Sequence, residues 1–502
     1  MAAGTYNSWI CLVCGYVHQG ATAPDYCSVC GAPADDFQPH AAPASQVPAV
    51  PTRWICLICG YMHDGSNPPE TCPLCGAGSE QFTSDDYGDP TASTGNASAM
   101  SFQHVVIVGA GIAGLSAAES IHSAAPAARI TLINGEPDLP YYRLNLTRYL
   151  AGEVSREALI IHPAAWYEDH KIDLRNGARV TAISTSSKRV DLTDGTSLSY
   201  DRLVLAMGAH PFIPPINGSD LDGVFCLRTL ADADAILSRT TAMPACVVIG
   251  GGVLGLEAAA ALAKRGLCVK VLETFDWLMP RQLNRRASEI LEKHLATLGI
   301  EVCKPVLTRA LLGNRHVSGV ELSDGRVIPA GLVLIAAGVR PETHLARKAG
   351  LTVNAGIVAD DSLRTSTSDV FAAGDVAEHN GALYGIWAPA QFQGAIAGLN
   401  VSGSFALFGG VPRSNTLKVL GISMTSIGRI EPEDGSYRLV EQEKDHAFYH
   451  FLFRDGKLVG GILAGDTSAA AHLKHAIESK RDCSGLLAHD PTADDVLEFL
   501  AQ

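Results

Sequence analysis

Residues 104–115 read HVVIVGAGIAGL, a β-branched run that leads into three glycines with GxGxxG spacing. Such a run before such glycines is typical of a buried strand followed by a tight turn and a helix. The pattern recurs at residues 246–256, CVVIGGGVLGL. The chain therefore contains two strand–turn–helix units. Their predicted elements are strands at residues 104–108, 129–133, 246–249 and 268–272, and helices at residues 115–123 and 256–265.

Both glycine motifs indicate dinucleotide binding. Glycines let the backbone approach a pyrophosphate, and the start of the following helix favours its negative charge. An acidic residue about 20 positions later accepts hydrogen bonds from the ribose; Glu136 and Glu273 fill this position. The alternative is a pair of ordinary structural turns. The predicted glycines are Gly109, Gly111 and Gly114 in the first unit and Gly250, Gly252 and Gly255 in the second.

Glu273 also predicts which nucleotide binds to the second unit. A carboxylate at this position accepts a bond from a free 2′-hydroxyl and repels a 2′-phosphate. No basic residue follows directly in residues 274–280, TFDWLMP. We therefore predict NADH rather than NADPH.

A second internal match supports duplication of this region. Residues 192–211 read LTDGTSLSYDRLVLAMGAHP, and residues 322–341 read LSDGRVIPAGLVLIAAGVRP. Each copy predicts a hairpin at Asp-Gly and then a buried strand. Farther on, the pattern predicts sheet within residues 439–453 and a helix at residues 468–479.

Composition narrows the class of protein. The chain has 502 residues, 47% of them hydrophobic, and a formal net charge of −14. Such an acidic surface argues against nucleic acid or anionic lipid as a partner. No stretch reaches the roughly 18 apolar residues of a membrane span, and no secretory signal is visible. We predict a cytoplasmic protein.

Cysteines are concentrated in an N-terminal repeat. Residues 9–37 read WICLVCGYVHQGATAPDYCSVCGAPADDF, and residues 54–82 read WICLICGYMHDGSNPPETCPLCGAGSEQF, with a constant offset of 45. Each copy has about 30 residues, too few for a hydrophobic core without a metal or a disulfide. The C-x2-C-x12-C-x2-C spacing gives four thiolates suited to a tetrahedral zinc or a single iron. The predicted ligands are Cys11, Cys14, Cys27 and Cys30, then Cys56, Cys59, Cys72 and Cys75.

Residues 102–425 resemble NADH:rubredoxin oxidoreductases and their relatives among the FAD-dependent pyridine nucleotide-disulfide oxidoreductases. The resemblance rests on VVIVGAGIAG, INGEPDLPYYRLNL, LVLAMGAHP, VVIGGGVLGLE, LMPRQLN, AAGVRPE, DVFAAGDVAE and TLKVLGI. The cysteine repeats are similar to the rubredoxin domain of rubrerythrins, in which the metal is iron. The resemblance thus favours iron, whereas the spacing alone favours structural zinc.

The resemblance also implies roles for individual residues. The first glycine motif would bind the adenosine diphosphate of FAD, and the second would bind NADH. Gly374 and Asp375 would bind the ribityl-phosphate region, Trp387 would begin a helix beside the flavin, and Arg143 would lie near the pyrophosphate. Arg148 stands where many relatives have a lysine. It is either a cation beside the flavin or a surface arginine.

These observations together predict an α/β protein. We expect two Rossmann-like domains that bind FAD and NAD and a small α+β C-terminal domain, preceded by two rubredoxin-like metal-binding domains. The predicted segments are residues 1–40 and 53–83 for the rubredoxin-like domains, 41–52 and 84–101 for linkers, 102–213 with 343–404 for FAD, 214–342 for NAD, and 405–502 for the C-terminal domain.

The predicted function is electron transfer from NADH through FAD to two mononuclear iron centres, each held by four cysteines, and on to an acceptor protein such as rubredoxin, rubrerythrin or another diiron protein. No side chain is expected to act as a catalytic acid or base. No cysteine lies between Cys75 and Cys226, so thiol chemistry at the flavin is not expected, and the five later cysteines are predicted to be buried. Two alternatives remain: zinc docking modules on a flavoenzyme that reduces a separate acceptor, and a non-catalytic NADH-responsive binding protein.

Overall fold

A computed structural model describes residues 8–11, 17–19, 37–39, 53–56, 62–72, 78–84, 104–240, 243, 245–410, 414–417 and 421–501. The chain divides into two compact units: Met1–Trp54 with Asp64–Pro68, and Ile55–His63 with Pro69–Gln502.

The N-terminal repeats have matching strands. The first repeat has β1 (Ser8–Cys11), β2 (Val17–Gln19) and β3 (Phe37–Pro39), in the order β2-β1-β3. The second has β4 (Arg53–Cys56), β5 (Met62–Asp64) and β6 (Phe82–Ser84), in the order β5-β4-β6. A short 3-10 helix, Ser79–Gln81, precedes β6. Each strand begins and ends 45 residues after its counterpart, as the duplicated sequence predicts.

A five-stranded parallel sheet follows the first glycine motif. Its strands run in the order β25-β13-β7-β8-β9. Apolar side chains fill these strands because both faces of the sheet are covered. One face packs against helix residues such as Leu115 and Ala397, and the other packs against the small antiparallel sheet that contains Ile183 and Val190. The strands are β7 (His104–Val108), β8 (Arg129–Ile133), β9 (Ile172–Arg175), β13 (Arg202–Leu205) and β25 (Val370–Ala372), and the main helices are α1 (Ile112–Ala124) and α8 (Trp387–Val401).

A second five-stranded parallel sheet repeats this arrangement, in the order β15-β22-β16-β17-β18. Its strands are β15 (Val224–Phe225), β16 (Ala245–Ile249), β17 (Cys268–Leu272), β18 (Glu301–Cys303) and β22 (Leu332–Ile335), with helices α4 (Leu230–Thr240), α5 (Val253–Lys264) and α6 (Arg285–Thr297). The predicted pair of Rossmann-like sheets is therefore confirmed.

Smaller sheets lie beside the two large ones. Both Asp-Gly hairpins form as predicted, and the two strands that end the internal match pair with each other. The antiparallel elements are β10 (Val180–Ser184), β11 (Arg189–Leu192) and β12 (Ser197–Ser199), then β19 (Thr308–Gly313), β20 (Val317–Leu322) and β21 (Val327–Pro329), then β14 (Ala209–Pro211) with β23 (Val339–Pro341). This region also contains the parallel pair β24 (Ile357–Ala359) and β26 (Ala377–His379), the short helices α2 (Leu146–Leu150), α3 (Ala164–Asp169) and α7 (His344–Lys348), and 3-10 helices at Arg143–Asn145, Glu157–Leu159 and Gly374–Val376.

The C-terminal region is an antiparallel sheet with helices, in the order β27-β28-β31-β30-β29. Its elements are β27 (Ser414–Leu417), β28 (Met424–Gly428), β29 (Tyr437–Lys444), β30 (Ala447–Arg454), β31 (Lys457–Ala464), α9 (Ala470–Glu478), α10 (Ser484–Leu487) and α11 (Ala493–Ala501). Met424, Phe448 and Ile462 share one buried cluster with Val248 and Leu256 of the second Rossmann-like unit. The C-terminal sheet is thus fixed to the unit that carries the second glycine motif.

Within the described ranges, every helix is too short or too polar to traverse a lipid bilayer.

Candidate cofactor site

A continuous cavity of about 1110 Å³ is lined by residues of both glycine turns. Parallel sheets of this kind bind ligands at the carboxyl ends of their strands, where both turns lie. Most of the predicted cofactor residues border it: Gly111, Arg143, Arg148, Gly250, Gly252, Glu273, Gly374, Asp375 and Trp387.

The glycines of the first motif have separate roles. Gly109 has a φ of +104°, and a Cβ there would lie 2.2 Å from the carbonyl oxygen of Ala206. A Cβ at Gly114 would lie 1.8 Å from the carbonyl oxygen of Gly109. Gly111 differs, because a Cβ there would meet nothing within 4 Å. The outer glycines allow close packing of strand and helix, and the middle one leaves space in the cavity.

The second motif repeats these roles. Gly250 has a φ of +117°, and a Cβ at Gly255 would lie 2.1 Å from its carbonyl oxygen. A Cβ at Gly252 would again meet nothing within 4 Å. The two turns are therefore built alike, with one glycine open to a ligand in each.

Gly252→Ala and Gly255→Ala should separate ligand binding from folding. We expect Gly252→Ala to keep the thermal stability of the parent and to raise the KM for NADH about tenfold or more, since its methyl group would occupy the space predicted for the pyrophosphate. Gly255→Ala should destabilise the protein by about 2 kcal/mol or more through overpacking. Thermal melts and NADH saturation curves test both. Equal melting temperatures for the two variants would contradict this assignment.

Glu273 directly follows β17 at the edge of the cavity. It is only 7% exposed, and its two carboxylate oxygens accept bonds from the backbone N–H groups of Gly251 at 2.7 Å and Phe275 at 2.9 Å. Two backbone donors fix the orientation of the carboxylate. The structure thus places Glu273 beside the second glycine turn.

Glu136 is arranged differently from Glu273. Gly109 N–H donates to Ile133 O as Gly250 N–H donates to Leu272 O, so the counterpart of Glu273 in the first unit is Asn134. Glu136 lies two residues beyond it and does not border the cavity. Asn134 was not among the residues predicted from sequence, because these hydrogen bonds, rather than a motif, align it with Glu273.

Glu136 instead belongs to a cluster with Arg143 and Tyr141. Its Oε1 accepts a bond from Arg143 Nη2 at 2.6 Å, and its Oε2 accepts one from the Tyr141 hydroxyl at 2.7 Å. Arg143 Nη1 also donates to the carbonyl oxygen of Arg228 at 2.5 Å. Because Arg143 borders the cavity, this cluster holds a guanidinium at its wall.

Close helix packing brings Trp387 to the same wall. A Cβ at Gly394 of α8 would lie 2.1 Å from the carbonyl oxygen of Ala113 in α1. The absence of a side chain there lets the two helices touch, and their first residues face the cavity together. Gly374 N–H donates to Gln393 Oε1 of α8 at 2.8 Å, and Asp375 pairs with Arg228 at 3.2 Å.

Arg148 lies at the cavity as well. Its Nε donates to Glu153 Oε2 at 3.2 Å, and its side chain is 23% exposed. Its Nη1 is buried and has no hydrogen-bond partner among the described residues. An unpaired guanidinium nitrogen at a cavity wall fits an anionic or polar ligand.

Glu257, a carboxyl in the apolar helix α5, was not among the residues predicted from sequence. It borders the cavity, and its Oε2 accepts a bond from Thr147 Oγ1 at 3.0 Å. Burial raises the pKa of Glu257 to about 7, and the Thr147 bond opposes the rise. A lone charge within VLGLEAAAALAK was the available signal.

Glu257 should make stability depend on pH. Its folded-state pKa of about 7 exceeds the ordinary value of 4.5, so the folded state holds the proton more tightly. The free energy of unfolding should therefore fall as the pH rises from about 4.5 to about 7 and stay low above that. Glu257→Gln removes this loss.

We expect Glu257→Gln to gain about 1–3 kcal/mol over the parent between pH 5 and pH 8. Urea unfolding at several pH values measures the difference. Glu301→Gln is the control, because Glu301 is an exposed carboxyl paired with Lys270. A parent and a Glu257→Gln variant with parallel pH profiles would refute the shifted pKa.

Cysteines outside the repeats stay away from the cavity, for none of them lines it in the part of the chain that the structure describes. Cys246 and Cys483 are buried, and burial raises the pKa of the Cys246 thiol to about 12. The prediction that all five are buried was wrong for Cys268, which is exposed at the start of β17, and only partly right for Cys226 and Cys303.

The predicted metal ligands are described only in part. Cys11 ends β1 and Cys56 ends β4. Cys56 and Cys72 have exposures of 0% and 2%, and enclosure of this kind suits the thiolate ligands of a metal site. The other ligand positions, Cys14, Cys27, Cys30, Cys59 and Cys75, lie outside the described residues.

Comparison with known proteins identifies the large region. Residues 103–396, more than half of the chain, match the family model described as pyridine nucleotide-disulphide oxidoreductase. The chain belongs to this family. Other parts of this pyridine nucleotide-disulphide oxidoreductase match two further models: residues 414–481 match the rubredoxin NAD+ reductase C-terminal domain, and residues 9–38 and 54–83 match the rubrerythrin, rubredoxin-like domain.

Individual relatives agree with this assignment. NADH-rubredoxin oxidoreductase of Clostridium acetobutylicum is 30% identical over 77% of this chain and 97% of its own. The crystal structure of that organism's NADH:rubredoxin oxidoreductase has a TM-score of 0.68 at 29% identity, covering 79% of this chain and 99% of the other. A nitrite reductase [NAD(P)H] of Bacillus subtilis is 34% identical over 77% of this chain but only 48% of its own length. The chain thus spans about half the length of that relative.

Proposed function

We propose that this protein is an NADH-dependent FAD oxidoreductase. It would pass electrons from NADH through FAD to iron centres held by four cysteines in each of its own N-terminal repeats, and from there to an acceptor protein. The observation that carries this proposal is one cavity bordered by both glycine turns in a chain with two matches to the rubredoxin-like domain. Bound there, FAD would supply two-electron chemistry toward NADH and one-electron chemistry toward iron.

The first Rossmann-like unit would hold FAD. Gly111 leaves room for the pyrophosphate at the start of α1, where backbone N–H groups favour negative charge. Arg143 and Arg148 add positive charge at the same wall, and Asp375 would bind the ribityl-phosphate region. Trp387 would pack beside the flavin. Arg148 Nη1, buried and without a partner in the described structure, supports its role as the cation beside the flavin.

The second unit would hold NADH. Gly252 leaves the corresponding space at the start of α5, and Glu273 is fixed to accept bonds from the adenosine ribose. A carboxylate at this position would repel a 2′-phosphate. These features support NADH rather than NADPH.

The surroundings of the cavity support electron transfer rather than thiol chemistry. Among the described residues no cysteine borders it, which supports chemistry at the flavin without a protein disulfide. No side chain would need to act as an acid or a base. The protein would bind the two nucleotides, orient them and exclude water from the cavity. The four-cysteine repeats would be the acceptors, with Cys11, Cys14, Cys27 and Cys30 in the first and Cys56, Cys59, Cys72 and Cys75 in the second.

Domain boundaries and location are part of the proposal. The FAD-binding domain would comprise residues 102–213 and 343–404, with the NAD-binding domain at residues 214–342 between them. Pairing of β13 with β25 supports this division. The acceptor would be a rubredoxin, a rubrerythrin or another diiron protein. Thirteen cysteines, eight of them in CxxC pairs, favour a reducing compartment such as the cytoplasm.

An anaerobic NADH titration with metal analysis tests the proposed function. We expect two irons and one FAD per chain, with ferric-thiolate absorption bleaching as NADH is added. Zinc in both sites after iron-supplemented expression would instead favour docking modules on an enzyme with a separate acceptor. Failure of NADH to reduce the flavin at all would favour a binding protein without turnover.

A further inference from the structure

The second cysteine repeat contacts the C-terminal domain through its short 3-10 helix, Ser79–Gln81, which we call the docking helix. It packs against α9. Gln81 is 1% exposed, and its Nε2 donates to the carbonyl oxygen of Thr467 at 3.3 Å. Thr467 is itself only 7% exposed. The amide of Gln81 is therefore enclosed between the repeat and the segment that precedes α9.

The docking helix is braced to the chain that carries Cys72. Ser79 N–H donates to the carbonyl oxygen of Glu70 at 3.0 Å, and Gly78 forms a β-bridge with Thr71. Cys72 follows directly. The contact with the C-terminal domain thus holds the second CxxC region of this repeat, rather than a distant linker.

On the other side, the contact is linked to the rim of the cavity. Thr467 lies just after β31, and Gly465 N–H donates to the carbonyl oxygen of Ser423 at 2.8 Å. Gly421, two residues before Ser423, borders the cavity. Two short backbone segments and the hydrogen bond between Gly465 and Ser423 therefore connect the cavity wall to the docking helix.

The first repeat has different chemistry at the same place. The residue 45 positions before Gln81 is Asp36. A carboxylate accepts hydrogen bonds but cannot donate one to a carbonyl oxygen. Enclosing it without a donor would cost the desolvation of a charge. The enclosed site at Thr467 therefore suits the second repeat and excludes the first.

We propose that the C-terminal domain is the docking site of the second cysteine repeat alone, held by Gln81 and Thr467. Resting on the proposed function, this makes the iron of the second repeat the first acceptor. One electron of the two that NADH supplies would reduce that iron from ferric to ferrous. The other would follow once the iron has passed its electron to the first repeat or to the acceptor protein.

Hydrogen exchange on the full-length protein with its FAD and metals tests the docking directly. We expect Gln81→Leu, which keeps the side-chain bulk without the donor, to speed amide exchange in residues 78–84 and 465–473 about tenfold. Gln81→Asp, which copies the first repeat, should do so at least as strongly. Asp36→Asn is the matched control and should leave those amides unchanged.

Three results would overturn the proposal: unchanged exchange in Gln81→Leu, unchanged exchange in Gln81→Asp with its metal retained, or equal acceleration in Asp36→Asn. If Gln81→Asp loses its metal, the exchange rates of Gln81→Leu decide whether Gln81 holds the docking contact, because leucine places no charge in the enclosed site. Stopped-flow bleaching by NADH should also slow about tenfold in Gln81→Leu, with reduction by dithionite unchanged.

The two proposals fail in distinguishable ways. Failure of NADH to bleach either iron would refute electron transfer within the chain, and the exchange result would still report docking. Normal bleaching with exchange insensitive to Gln81 would refute docking and leave the electron transfer intact.

Discussion

Cys56→Ser will bind one metal ion per chain instead of two, and its metal-thiolate absorption will fall by half. In zinc-finger peptides a structural zinc ion binds with about 10–16 kcal/mol, and this binding free energy is also folding free energy. Without one of its four thiolates, a repeat of about 30 residues cannot keep its structure. Cys56 is fully buried at the end of β4, so the loss should include local unfolding.

Activity assays make this result specific. NADH oxidation with ferricyanide should stay within about twofold of the parent, because Cys56 lies outside the cavity lining, whereas reduction of an acceptor protein should fall at least about tenfold. Cys303→Ser is the matched control, since Cys303 is a free, half-exposed thiol. Two metals retained in Cys56→Ser would contradict its role as a ligand.

Glu273→Gln will reduce the preference of the enzyme for NADH over NADPH. In the parent, a negative charge about 5–6 Å from a 2′-phosphate costs about 3 kcal/mol at an effective dielectric constant of 20, so kcat/KM for NADH should exceed that for NADPH by roughly a hundredfold. The glutamine removes the charge but can still accept the N–H bond of Gly251. The ratio should fall to about tenfold or less.

Steady-state kinetics with both nucleotides measure this ratio. Glu301→Gln again serves as the control, because this exposed carboxyl lies at the neighbouring strand β18 and pairs with Lys270. A parent enzyme that uses NADPH as well as NADH would refute the role of Glu273, and so would a glutamine variant that keeps the parent's ratio.

Local pattern was sufficient to predict the two Rossmann-like units, but not their helix boundaries. The helix expected at residues 115–123 begins at Ile112, and the one expected at residues 256–265 begins at Val253. Both helices begin earlier than predicted for the same reason. The middle glycine of each motif is the N-cap, so the third glycine already belongs to the helix and packs against the turn.

Long-range pairing could not be read from the sequence. Ala209–Pro211 pairs with Val339–Pro341, so the ends of the two matching segments meet, although each segment alone predicts only a hairpin and a strand. The region expected to be sheet within residues 439–453 is a hairpin, with its turn at Asp445 and His446 in positive φ. Turn position depends on cross-strand register, which composition does not report.

The site was predicted where a motif marks it and missed where tertiary contacts create it. Spacing alone indicated Glu273 and the glycines. Asn134 was overlooked because only the observed hydrogen bonds align it with Glu273, and Glu257 because its significance comes from burial at a cavity that forms between distant segments. Gln81 was likewise missed because its hydrogen bond is to Thr467, 386 residues away in the sequence.

The pairing of β25 with β13 also bears on how the protein is made. During synthesis, Leu203–Leu205 emerges from the ribosome long before its partner, Val370–Ala372. The second parallel sheet, by contrast, is complete once Ile335 has been translated. The second Rossmann-like unit can therefore fold while the first still exposes an unpaired strand. A chain truncated near residue 350 keeps every strand of the second sheet but lacks Val370–Ala372. It should be aggregation-prone, because its first sheet exposes an unpaired strand edge.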